Sequence, residues 1–116
     1  MKVLLVALTL LTLSLSQTLF AHSDHSHGPI SITEAQSLAM DVAKNLSSRD
    51  AGLGFGQLAK SWQSILSKDV AIHKKGEGYY IVSVMNESEK KTLYVLMSDS
   101  GEVYDANLTG IFEGIK

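Results

Sequence analysis

The chain has 116 residues, a formal charge of −2, 45% hydrophobic residues and no cysteine. Its lysines and arginine are scattered among acids with no basic patch, which argues against nucleic acid as a partner. Without cysteine there can be neither a disulfide scaffold nor a lipid-anchored lipoprotein.

The first element is a leader. Lys2 precedes an apolar run from Val3 to Leu13, broken only by Thr9 and Thr12, and a more polar stretch ends at Ala21. This is the layout of a secretory signal peptide. The run is too short for a membrane span of roughly 20 residues. Residues 1–21 are therefore read as a signal peptide cut after Ala21, with a cut after Ser16 as the alternative because Leu19 is bulky for its position. The product would be periplasmic or secreted, would have no membrane anchor and would carry a charge of −3, since Lys2 is the only charge removed. About 95 residues remain, enough to bury a little over ~60% of their unfolded surface in one domain.

Residues 22–30 form a His-rich segment, HSDHSHGPI. Neutral imidazoles suit Cu(II), Ni(II) and Zn(II). His22, His25 and His27 could converge on one ion, with Asp24 adding an oxygen. If Ala21 is the cleavage point, the α-amine and imidazole of His22 could chelate together. An amino-terminal X-X-His site is then absent, because the third residue is Asp24. Short His tracts are also compositional features of polar leaders, and His27 could instead pack near the helix that follows.

The domain occupies 31–116. Ile32, Ala35, Leu38, Ala39, Val42, Ala43 and Leu46 recur at three- and four-residue steps, predicting a helix from Ser31 to about Leu46. Ser31 and Glu34 have capping-box spacing. Ser47 to Gly56 is a break. Its GLGFG follows a helix rather than a strand, so it reads as a loop and not a phosphate cradle, with Leu53 and Phe55 folding back onto the core. Gln57 to Leu66 reads as a second, short helix, with Leu58, Trp62, Ile65 and Leu66 on one side and Trp62 as core anchor.

From Asp69 the period changes to two. Val70 and Ile72 mark a short strand, and Lys75 to Gly78 a turn. Tyr79 to Met85 and Thr92 to Met97 are strands rich in β-formers. Ser98 to Gly101 is a tight turn, and Glu102 to Asn107 is a last strand. Short connections make the neighbours antiparallel. The expected fold is α+β: two helices packed on a small antiparallel β-meander. Both sheet faces are apolar. Tyr80, Val82, Val84, Leu93, Val95 and Met97 form one; Tyr79, Ile81, Tyr94 and Leu96 lie on the other, with Met85. The helices can cover only one face. The second is either capped by terminal segments or offered to a partner.

Other chemistry is weak. His73 is alone on a short strand. Met40, Met85 and Met97 sit on apolar stripes, which suits core filling better than copper(I). SDSGE lacks the rest of a calcium-loop ligand series. Asp99, Glu102 and Asp105 cluster at a hairpin end, where solvated turn charges are the default. No nucleophile, base and acid stand at readable spacing, so no enzyme is expected.

The helix ITEAQSLAMDVA, the strand GYYIVSV and the ending TLYVLMSDSGEVYDAN resemble the PepSY domain family. Ile32, Glu34, Ala35 and Ala39 match its helix, and Gly78 to Val84 its middle strand. Asp99, Gly101, Glu102 and Val103 approximate its ending, with the Asp–Gly spacing one residue short. The chain is more closely similar to a family of small exported bacterial proteins of unknown function with a PepSY-like fold. The shared marks are HGPIS (His27–Ser31), the Ser61–Trp62 pair, TLYV (Thr92–Val95) and N-x-TG (Asn107–Gly110). The resemblance implies a non-catalytic binding or regulatory module acting on an envelope protein or on itself. It would offer the sheet face around Tyr79, Ile81, Tyr94 and Leu96, or a sheet edge. The alternative is a periplasmic metal-binding accessory that uses His22, Asp24, His25 and His27.

Overall fold

The computed structural model describes residues 28–115. Among these residues there is one α-helix, α1, which spans Ile32–Ser48. The Ser31 hydroxyl accepts from the Glu34 N–H at 3.1 Å, and the Glu34 carboxylate accepts from the Ser31 N–H at 3.3 Å. This reciprocal cap satisfies two amides that the first turn leaves without a helical partner. Ala35, Ala39, Val42, Ala43 and Leu46 form the buried stripe. Ile32, expected on that stripe, is instead 49% exposed at the helix entry.

The sheet is an antiparallel meander in the order β1-β2-β3-β4. The strands are β1 (Val70–Gly76), β2 (Tyr79–Asn86), β3 (Lys91–Ser98) and β4 (Val103–Asn107). Val82 lies opposite Ile72 on one side and Val95 on the other, and Val95 opposite Ala106. That register puts one apolar row against α1. The edge strands are irregular: register shifts fall between Ile72 and Lys74 and between Leu96 and Met97.

The expectation of two helices on the meander is overturned. Gln57 to Leu66 is not an α-helix; it holds one 3-10 turn at Lys60–Ser64, and another follows at Ser67–Asp69. The reason lies at the end of α1, whose last carbonyls have no partner within the helix. The incoming segment supplies partners. The Leu58 N–H donates to the Leu46 carbonyl at 2.9 Å, Gln57 Nε2 to the Ser47 carbonyl at 2.8 Å and Gln63 Nε2 to the Lys44 carbonyl at 2.9 Å. Gln63 Nε2 also donates to the Ser47 hydroxyl. A helix of ten residues is marginal in any case. Here the Leu58 N–H and the Gln57 and Gln63 side chains are committed to capping the neighbouring helix, while Leu58 and Trp62 still reach the core and Leu66 is left 58% exposed. In the preceding loop Phe55 packs on the core as expected, but Leu53 is 42% exposed.

Two separate apolar clusters result. The inner one joins α1, Leu58 and Trp62 to Tyr80, Val82, Val84, Leu93, Val95 and Met97. Ile30 belongs to it as well: its N–H donates to the Asp99 carbonyl at 2.7 Å and its carbonyl accepts from the Tyr80 hydroxyl at 3.2 Å. The outer cluster lies on the opposite side of the sheet.

Candidate functional site

Alternation along β2 and β3 sends Tyr79, Ile81, Tyr94 and Leu96 to the face away from α1. Ile81 and Leu96 are directly paired across the two strands. The structure therefore brings the four expected face residues together. It also covers them: Ile81 is 2% exposed, Leu96 7% and Tyr79 8%, and Tyr94 is half-buried. The cover is not a helix. It is the segment after β4, which contributes Phe112 and Ile115 to the outer cluster.

Asn107 builds the reversal that brings this strap back. Its Oδ1 accepts from the Thr109 N–H at 3.2 Å and the Gly110 N–H at 2.8 Å, and its Nδ2 donates to the Ile111 carbonyl at 2.8 Å. The Thr109 hydroxyl accepts from the Ile111 N–H at 3.2 Å. Gly110 has φ +78°, and a Cβ there would stand 3.2 Å from the Tyr94 ring. The position thus needs glycine twice, for a left-handed backbone and for close approach to an aromatic face. Leu108 packs on the inner cluster and Gly110 against Tyr94, so the chain changes face within two residues.

The strap is lightly held. Among the described residues, no backbone hydrogen bond joins 111–115 to a strand. Phe112 and Ile115 are only half-buried, and Ile111 is 74% exposed. Half-burying two side chains of this size contributes on the order of 2 kcal/mol in all. Ordering each backbone residue costs about 1–2 kcal/mol. The strap stays down because Asn107 fixes the turn and because docking also dries Tyr79, Ile81 and Leu96. Beside its end an open groove of about 510 Å³ runs between Glu77, Tyr79, Gly114 and Ile115.

Two further contacts shape this face. The Tyr79 ring lies across Gly76 on the edge strand; a Cβ there would be 2.0 Å from Tyr79 Cε1. His73, exposed at the β1 irregularity, sets its ring edge-on to Tyr94 at 4.9 Å between centroids. Its polar ring thus borders the apolar face.

The other candidates separate. His22, Asp24, His25 and His27 lie outside the described residues. Among those described, no three histidine or acidic side chains are grouped to hold an ion. Met40 and Met97 pack on the inner cluster, whereas Met85 is 42% exposed at the far end of β2. Asp99 is engaged through its backbone, accepting from Ile30 and donating to the Gly78 carbonyl at 2.9 Å, and the Asp105 carboxylate accepts from the Ala106 N–H at 2.8 Å. Glu102 is exposed at the start of β4, and its N–H donates to the Ser98 hydroxyl at 3.0 Å.

Sequence reasoning missed Phe112 and Ile115. A signal for them exists: four large apolar residues, Leu108, Ile111, Phe112 and Ile115, follow the last strand. The N-x-TG pattern before Ile111 is the hinge. The Ser61–Trp62 pair is equally structural. Trp62 is 1% exposed in the core, and the Ser61 hydroxyl accepts from Asn86 Nδ2 at 2.9 Å.

No curated protein and no solved structure matches the chain. The sequence model of DUF6488, a family of unknown function, matches residues 1–111, a stretch that includes Asn107 to Gly110 and stops before Phe112. With nearly all of its length matched, the chain belongs to the DUF6488 family.

Proposed function

We propose that this protein is an exported, non-catalytic binding and regulatory module that acts on an envelope partner through the outer face of its sheet. One observation carries the reading. Tyr79, Ile81 and Leu96 form an apolar cluster separate from the main core, and among the described residues only a short strap of the same chain covers it. With the strap lifted, this face would be a contiguous exposed apolar patch, the kind of surface that marks interaction sites. The resemblance to PepSY domains and the leader-like first 21 residues support the same assignment.

The face is a better candidate than an edge. Both edge strands carry register shifts, and β1 exposes Lys74 and Lys75. Bulges and edge lysines are devices that discourage strand addition.

Site-specific photo-crosslinking in exporting bacteria tests this. A photoreactive residue in place of Ile111, on the strap, should yield one discrete adduct. The same residue in place of Asn45, exposed on α1, should not. Adducts from both positions alike, or from neither, would sink the proposal.

The second reading is a periplasmic metal-binding accessory, with His22, Asp24, His25 and His27 capturing Cu(II), Ni(II) or Zn(II). The crowding of these donors ahead of the domain favours it.

A further inference from the structure

The strap resembles a ligand more than an element of the fold. Among the described residues it makes no backbone hydrogen bond to any strand. It anchors through two side chains, Phe112 and Ile115, three residues apart on one side. Gly110 opens it and Gly114 lies between its two anchors, both with left-handed backbones (φ +78° and +83°). The face beneath has what a short apolar peptide requires. Two aromatic rings, Tyr79 and Tyr94, flank the aliphatic pair Ile81 and Leu96, and a groove lined by Glu77, Tyr79, Gly114 and Ile115 adjoins them.

We infer that the outer face is a peptide-binding site and that residues 110–115 are its resident intramolecular ligand. This deepens the binding reading above and rests on it for biological purpose. The competing ligand is an apolar segment of another protein with an aromatic residue, two spacers and a branched aliphatic residue. The acid at Glu77 favours a cationic residue after the aliphatic one. Displacement needs only local opening, because few buried contacts hold the strap. While tethered, the strap competes at an effective concentration that short linkers place near ~1 mM. The site is therefore closed to weak or dilute ligands and yields to one that binds more tightly or is locally concentrated.

The test uses the full chain and a fluorescent peptide of sequence TGIFEGIK, which repeats residues 109–116. Removing the anchors with F112A/I115A should raise affinity for the peptide about tenfold or more over the unsubstituted chain, as the internal competitor is lost. A peptide with alanine at the Phe and Ile positions should bind neither. A folded F112A/I115A chain that shows no gain, or that binds a scrambled peptide equally, overturns the inference. If that variant does not fold, limited chymotryptic cleavage after Phe112 in the unsubstituted chain decides. Cleavage far faster than global unfolding supports a docked ligand, whereas cleavage only at the rate of global unfolding overturns it. Peptide binding without a cellular crosslink would leave this device standing and remove the envelope partner. A crosslink without peptide binding would do the reverse.

Discussion

Asn86 shows how much one side chain can tie together. It is 3% exposed, donates from Nδ2 to the Ser61 hydroxyl and accepts at Oδ1 from the Glu89 N–H at 3.2 Å. It thereby joins the end of β2 to the 3-10 turn and to the β2–β3 connection. Asn86→Leu keeps the branched shape and strands both partners, which should cost about 1–3 kcal/mol. Urea unfolding should show a lower midpoint with an unchanged slope. Gly76 makes the opposite point, since its value lies in having no side chain. Gly76→Ala must push the Tyr79 ring off the edge strand, at about 1–3 kcal/mol for an overpacked contact. Because Tyr79 belongs to the outer cluster, chymotryptic cleavage after Phe112 should accelerate more than global unfolding does. Equal acceleration of both would show that Tyr79 and the strap are not coupled.

Among the elements, α1 carries its own instructions. Ser31→Ala removes an N-cap and should cost about 1 kcal/mol, with helical circular dichroism falling at lower temperature than in the unsubstituted chain. The strands were as legible as the helix, because alternation from Val70 to Asn107 and the turns at Lys75–Gly78 and Ser98–Gly101 are local signals. Gln57 to Leu66 misled because its helical spacing is real, yet Gln57, Leu58 and Gln63 are engaged by carbonyls of α1 that no local pattern mentions. The register shifts beside His73 and Met97 were invisible for a similar reason, being settled between strands. For the site, alternation placed Tyr79, Ile81, Tyr94 and Leu96 on one face. Capping by a terminal segment was one of two alternatives left open, but the residues that do it were not legible, because Asn107 and Gly110 act through side-chain hydrogen bonds and a contact with Tyr94, neither of which has a period.

For the molecule as a whole, the metal reading makes a prediction that separates arm from domain. Calorimetric titration of Cu(II), Ni(II) or Zn(II) should show one-to-one binding on the order of micromolar or tighter, the affinity expected of clustered imidazoles. A variant with alanine at His22, His25 and His27 should lose it. A ligand stabilises a fold only by preferring the folded state. An independent capture arm would bind folded and unfolded chains alike, so saturating metal should leave Tm unchanged. A rise in Tm would place a ligand within the domain. Unaltered titration in the triple variant would remove the histidines from metal handling.

The position of the strap along the chain also sets an order of events. Residues 110–115 follow the strands they cover, and the surface they cover exists only once β2 and β3 are in register. Closure therefore cannot precede the pairing of β2 with β3. Wherever that pairing runs ahead of closure, there is an interval in which the outer face is still bare. A binding partner present in that interval meets no competitor and can occupy the face before the strap does. The same protein could then persist in two forms, closed or loaded, according to the company in which it folded.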